Sequence, residues 1–315
     1  YRILPKILDG CREAPMANAA LENLVKFIES SKSRESFLGL FSENKNFLKL
    51  LLKIFGSSNL MSDILIKQPG LIDIIEDTES IYRFKNKTNL NKEIKKNINI
   101  SNNFEEKKNN LRRFKQGEEL RIGIRYIIGE ADIEGTLKDL SSLAETHIEN
   151  AYQLALTKLS AQYPSERIIP NNFAIIGMGK IGGNEINFKS DLDLIFVYEA
   201  NKDDSLFSDN VVLFYTKIYQ LLHELTSQVT SSGYAYKIDS DLRPEGKSGL
   251  MVNSIKSYEE YYRVRARTWE QQSMVRARFI AGNQQTGKNF INMVKKFTYR
   301  PKLEYESVIE ISRLR

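Results

Sequence analysis

Cysteine is close to absent from this 315-residue chain: Cys11 stands alone. No internal disulfide can form, and a reducing compartment, the cytoplasm, is the default. Histidine is nearly as scarce. His147 and His223 fall singly in segments of helical period, so they read as structural and assemble no Cys/His zinc set. No apolar run reaches the roughly 20 residues of a membrane span, and the first residues carry no signal-peptide pattern. No serine occupies a nucleophile elbow. These absences leave a soluble globular protein without a membrane partner.

What is present fits a packed core, with 41% hydrophobic residues and 10% aromatics. The net charge of +6 comes largely from lysine set among asparagines, and it does not by itself define a nucleic-acid partner. The chain starts at Tyr1 without methionine and stops inside "LEYESVIEISRLR", whose apolar spacing is still helical. It reads as an internal piece of a longer protein.

From Leu21 to about Ile75 the apolar residues recur at helical spacing, with breaks at Gly56-Ser57-Ser58 and Pro69-Gly70. Residues 84–112 are rich in Lys and Asn and read as a solvated connection or a polar helix. Helical period resumes in "LRRFKQGEELRIGIRYIIG" and in a long helix ending before Pro164. After Pro170 the period changes. "FAII" and "LDLIFVY" predict strands, and residues 213–233 a helix closing at Gly233. "YAYKIDSDLRPEGKSGLMV" predicts two strands around a Pro/Gly turn, and residues 255–282 one helix or two ending at Gly282.

Gly177, Gly179 and Gly182 spell G-x-G-x-x-G after a short apolar run, the outline of a dinucleotide-binding turn. Only residues 183–190 separate the last glycine from Asp191, whereas a parallel crossover takes at least about 10–12 residues. A Rossmann oxidoreductase is therefore disfavoured, and Lys180 is followed by Ile181, so the turn is not a P-loop either. The acids read better. Along a strand Asp191 and Asp193 project from one face. Two carboxylates so close suit a divalent cation, although two solvated acids at a strand start are the bland alternative. Gly182 and Gly183 offer a turn whose N–H groups could approach phosphate, Ser190 adds a hydroxyl, and Asp239 supplies a third acid from another strand. Together these are the parts of a two-Mg²⁺ phosphoryl-transfer site acting on a nucleoside triphosphate.

The glycine turn, the D-x-D and the separate acid resemble the nucleotidyltransferase superfamily that includes DNA polymerase β. Three blocks narrow the match: "GMGKIGGNEINFKSDLDLIFVY", "DSDLRPEGKSGLMV" and "YYRVRARTWEQQSMVRARFIAG" resemble the glutamine synthetase adenylyltransferases, bacterial enzymes with two related nucleotidyltransferase halves. The opening helical segment is similar to the one that introduces the C-terminal half, which attaches AMP, whereas the other half removes it by phosphorolysis.

The resemblance implies an α+β fold: a helical segment over 1–110, a mixed-sheet nucleotidyltransferase core over 111–284 and the start of a C-terminal helical bundle over 285–315. It implies Asp191, Asp193 and Asp239 as catalytic and metal-binding acids, with Gly182, Gly183 and Ser190 at the nucleotide. ATP would be the substrate, glutamine synthetase the acceptor, and glutamine and a PII signalling protein the effectors. The alternatives are phosphorolytic removal of AMP and a non-catalytic module that binds glutamine synthetase or PII.

One position departs from the family: where many members carry arginine, this chain has Asp241. Beside the resemblance, Lys180 could meet phosphate as a point charge, and Arg243, between the third acid and Pro244, could pair with the acids or bind triphosphate. Arg276 shares a helical spacing with Trp269, Gln272 and Ser273 and would look toward the cleft. Arg263, Arg267 and Arg278 read as a solvated face, Trp269 as core, and "YEEYY" as packing.

Overall fold

A computed structural model describes residues 3–31, 34–162, 171–200, 211–230, 233–299 and 305–313. The chain forms two compact units interleaved in sequence: Tyr1–Asn86 with Phe114–Asp139, and Lys87–Arg113 with Leu140–Arg315.

The first unit is helical. α1 (Leu4–Glu13), α2 (Ala17–Ser30), α3 (Arg34–Glu43), α4 (Lys45–Ser57) and α5 (Asn59–Lys67) lead to a 3₁₀ turn at Pro69–Ile72, then α6 (Asp73–Glu76) and α7 (Thr78–Tyr82). Both expected breaks have local causes. Ser58 caps α5 by accepting the Met61 N–H, and Pro69, which lacks an N–H, opens the 3₁₀ turn. Leu24, Phe27, Leu48, Leu51, Leu52 and Phe55 are buried at the helical spacing that predicted them.

Of the two readings of the Lys/Asn stretch, helix is the one observed. α8 (Lys87–Ile98) buries Leu90, Ile94 and Ile98 at four-residue steps. α9 (Phe104–Ile128) carries buried charge. In the first unit, Glu118 accepts from Lys85 at 2.6 Å and from Arg121 at 2.8 Å, while Arg125 donates to the carbonyls of Ile81 and Tyr82. These pairings satisfy groups that would otherwise be costly to bury. α10 (Ile133–Ser160) follows; Pro164 and Pro170 lie outside the described residues.

The second unit holds a five-stranded mixed sheet: β1 (Phe173–Gly177), β2 (Leu192–Tyr198), β3 (Ile238–Asp239), β4 (Val252–Ser254) and β5 (Arg278–Gly282). The order is β3-β2-β1-β5, with β4 also on β2. β1 pairs antiparallel with β2 and β5, whereas β3 and β4 both pair with β2 in parallel. The backbone of β2 faces its neighbours alternately: Leu192 N–H donates toward β3, at Lys237 O, and Asp193 O accepts from Met178 beyond the end of β1. β3 and β4 therefore line one edge of β2 while β1 takes the other.

Helices flank the strands: α11 (Gly179–Gly182), α12 (Val211–Ser227), α13 (Ile255–Val264), α14 (Thr268–Ser273), α15 (Gln284–Thr298) and α16 (Tyr305–Arg313). On one sheet face Ala174, Ile176, Ile195 and Val197 pack with Tyr258 of α13 and Phe290 of α15. On the other, Phe173 stacks on Tyr152 and Tyr215, and Phe196 meets Tyr219. Coverage of both faces explains why β1 is apolar at every position.

Two boundaries differ from expectation. Residues 278–282 are a strand, because Phe279 and Ala281 find ladder partners in Ile176 and Ile175; that pairing is tertiary and leaves no helical signature to read. α12 stops at Ser227 rather than Gly233, where the fully buried Arg112 donates to the carbonyls of Glu224 and Gln228 and satisfies its last turn.

Candidate active site

Asp193 and Asp239 are register partners in the parallel β2–β3 pair, so their side chains share a face, and Asp191 joins them by the two-residue period of a strand. It is the face on which Ile195 and Val197 lie buried farther along β2. Burial is the largest cause that pushes the Asp193 carboxyl above the usual aspartate range; the charges of Asp239 and Asp191 push the same way, and Lys180 opposes them. Asp239, Asp191 and Lys180 are thus the charges that act on Asp193.

Asp239 Oδ1 accepts the Asp241 N–H at 2.8 Å. The Asp241 carboxylate lies 3.5 Å from Lys247 Nζ and 3.7 Å from Arg243 Nη1. Asp191, Asp239, Asp241 and Lys247 line a cleft of about 400 Å³, together with Tyr219 and Met251.

The glycine turn folds into the single turn of α11. Gly179, at φ +47°, sits against the Asp193 carboxylate, and a Cβ there would run into Oδ2. Both the backbone angle and the space demand glycine. Sequence reasoning set this residue aside as part of an incidental outline, although the G-x-G spelling marked it. Gly182 is equally constrained, since a Cβ would overlap Arg276 O and lie 2.8 Å from Gly177 O.

The amides of Gly182 and Gly183, expected to face phosphate, already donate to Met178 O at 2.8 Å and Gly179 O at 3.0 Å. What these two glycines provide is close approach. Ser190 accepts the Asn187 N–H at 3.2 Å, closing a small turn before β2, and Lys180 is exposed.

Arg243 lines the same cleft, and its own donors brace the loop. It is 3% exposed, and its donors go to the carbonyls of Ser240, Lys247 and Gly249 at 2.8, 3.1 and 3.1 Å. It holds the loop after Asp239 in shape. Arg278 was misread: it donates to Ile181 O at 2.7 Å and Gly182 O at 3.1 Å and pairs with Glu145, clamping the end of α11. Glu145 in turn accepts from Lys87 at 3.1 Å. No sequence pattern links these residues, which lie on β5, α10 and α8. Arg276 sits on a 3₁₀ turn, Met274–Arg276, beyond the end of α14, and Trp269, expected in the core, is 39% exposed.

Among the described residues, no three acidic, histidine or cysteine side chains converge tightly enough to hold a metal by themselves. Mg²⁺ ordinarily takes one or two carboxylates and completes its shell with phosphate and water oxygens. The in-register pair Asp193 and Asp239 offers the two carboxylates such an ion takes, with the Asp191 carboxylate near them, so the residues fit an ion that completes its shell with phosphate and water.

A mixed sheet with helices on both faces, carrying paired acids beside a glycine turn, is an α+β fold of the nucleotidyltransferase type. Residues 48–293 match the glutamate-ammonia ligase adenylyltransferase family, and the chain belongs to that family. It is 28% identical over 307 residues to the bifunctional glutamine synthetase adenylyltransferase/adenylyl-removing enzyme of Thioalkalivibrio sulfidiphilus, covering 94% of this chain and 32% of that protein. Proteins of the same description from Nitrosomonas europaea and Shewanella oneidensis are 30% and 32% identical over 96% and 92% of this chain. The chain spans about a third of the length of these curated relatives, 32% in each case.

Proposed function

We propose that this chain transfers AMP from ATP to a tyrosine hydroxyl of glutamine synthetase and releases pyrophosphate. The observation that carries the reading is the parallel register of Asp193 with Asp239, which sets two acids from separate strands, with Asp191, beside the glycine turn. The tyrosine oxygen forms a bond to the α-phosphorus as the bond from that phosphorus to the bridging oxygen breaks, and the electron pair leaves with pyrophosphate. Asp239 takes the tyrosine proton at Oδ2, since Oδ1 already accepts the Asp241 amide. Mg²⁺ bound by Asp191, Asp193 and Asp239 would neutralise the triphosphate and acidify the attacking hydroxyl.

Gly179 and Gly182 let the turn pack directly against the Asp193 carboxylate and the Arg276 carbonyl, and Lys180 supplies a nearby positive charge. The remaining assignments, Gly183 and Ser190 at the nucleotide, belong to the same proposal. So do control by glutamine and a PII protein and a cytoplasmic location; no described helix is long and apolar enough to cross a membrane.

The test is incubation with Mg²⁺, ATP labelled at the α-phosphate, and unmodified glutamine synthetase. Label on the synthetase is expected. Absence of label, with phosphate-dependent release of AMP from a pre-adenylylated sample, reverses the direction and assigns the chain to adenylyl removal.

A further inference from the structure

Arg276 and Glu185 form an ion pair across Gly183, with side-chain exposures of 54% and 41%. A Cβ built on Gly183 would lie 3.3 Å from both Arg276 Cδ and Nη1 and from the Glu185 carboxyl carbon. The Arg276 main chain is anchored, because its carbonyl packs against Gly182. Its head group is not: among the described residues its polar partner is Glu185. The other arginines around the turn are committed, Arg278 to the carbonyls of Ile181 and Gly182 and Arg243 to its own loop. An anchored arginine held by one half-exposed carboxylate is a cation that an incoming polyanion can take over.

Its place along the turn suggests which part of a ligand it would meet. Gly179 lies under the Asp193 carboxylate and Gly183 under Arg276, one helical turn apart, roughly 5–6 Å. A nucleotide reacting at the acids with its polyphosphate laid along α11 would carry the distal phosphates to Arg276. Resting on the adenylyl-transfer reading, we propose that Arg276 binds the β- and γ-phosphates of ATP and that Glu185 occupies it as a stand-in anion until nucleotide arrives. The ion pair then competes with ATP and sets its affinity.

Equilibrium binding of ATP and of AMP to the whole chain, with Mg²⁺, tests this in wild type, Arg276→Ala, Glu185→Gln and the double variant, with circular dichroism as the folding control. Arg276→Ala is expected to weaken ATP binding about tenfold and Glu185→Gln to tighten it about threefold. The double variant should match Arg276→Ala, and AMP binding should move less than about twofold in all of them. ATP binding unmoved by Arg276→Ala, or a Glu185→Gln gain that survives loss of Arg276, overturns the assignment while leaving adenylyl transfer standing. A wild-type chain that binds no ATP removes both. If Arg276→Ala does not fold, Glu185→Gln decides alone, and unchanged or weaker ATP binding overturns the assignment.

Discussion

Asp193 and Asp239 face each other from adjacent parallel strands, and Asp193 holds its proton more tightly than a free aspartate, through burial first and then through the charges of Asp239 and Asp191. A carboxyl whose pKa is raised by folding favours the folded state while protonated. That contribution is full below the ordinary aspartate pKa and is lost as pH rises through the higher folded value. Asp193→Asn is therefore expected to raise the melting temperature by about 1–3 °C at neutral pH. The gain should shrink as pH falls toward the ordinary aspartate range. Calorimetry across pH checks this, and a gain constant with pH contradicts the repulsion account. The same substitution should lower adenylyl transfer by on the order of 100-fold or more.

Adjacent glycines in the turn should respond differently to alanine. At Gly182 a methyl group would overlap the Arg276 carbonyl, which cannot yield without moving the 3₁₀ turn. At Gly183 it would meet the flexible end of the Arg276 side chain at 3.3 Å. Gly182→Ala is expected to cost about 2 kcal/mol or more, and Gly183→Ala less than about 1 kcal/mol. Urea unfolding of the two variants measures both.

Arg243→Leu should behave as a loss of structure before a loss of binding. It leaves the carbonyls of Ser240, Lys247 and Gly249 without their donor, and a cost of about 2–4 kcal/mol is expected. Arg243→Lys should recover only part of this, because an ammonium cannot reproduce the planar fork. Chemical denaturation checks the first statement. A variant of wild-type stability with impaired ATP binding would support the direct nucleotide role that the sequence suggested.

Arg278→Met removes the clamp on Ile181 and Gly182 while keeping an apolar stem. Transfer activity is expected to fall about tenfold through kcat, with the melting temperature lowered by about 2–4 °C. Glu145→Gln should produce a smaller loss in the same direction, since the arginine keeps its two carbonyls. Activity assays beside thermal melts separate the two effects.

The parts of this site legible in the sequence are those whose chemistry is local. Alternation in "SDLDLIFVY" places two acids on one face of β2 because strand geometry alone dictates it, and the short spacing after Gly182 excludes a crossover helix for the same reason. Leu90, Ile94 and Ile98 carried a helical signal too, masked by the lysines and asparagines around them. What could not be read depends on partners distant in sequence. "RFIAG" is a strand because β1 offers it a ladder, and Arg278 is a clamp because Glu145 and the end of α11 converge on it. Arg243 and Arg276 illustrate the limit most plainly: both are arginines near a phosphate turn, and only their hydrogen-bond partners separate a structural brace from an available cation.

The interleaving of the two units bears on how the protein can be dissected. Residues 87–113 run through the second unit before the chain returns, at Phe114, to complete the first. A single cut therefore cannot yield two whole units. A fragment beginning at Phe114 would drop Lys87, the partner of Glu145, and Arg112, the donor at the end of α12. A fragment ending at Asn86 would lack the Glu118 that neutralises Lys85. Either unit can be isolated only by an internal deletion that joins its two segments, Asn86 to Phe114 or Arg113 to Leu140, rather than by trimming at a linker.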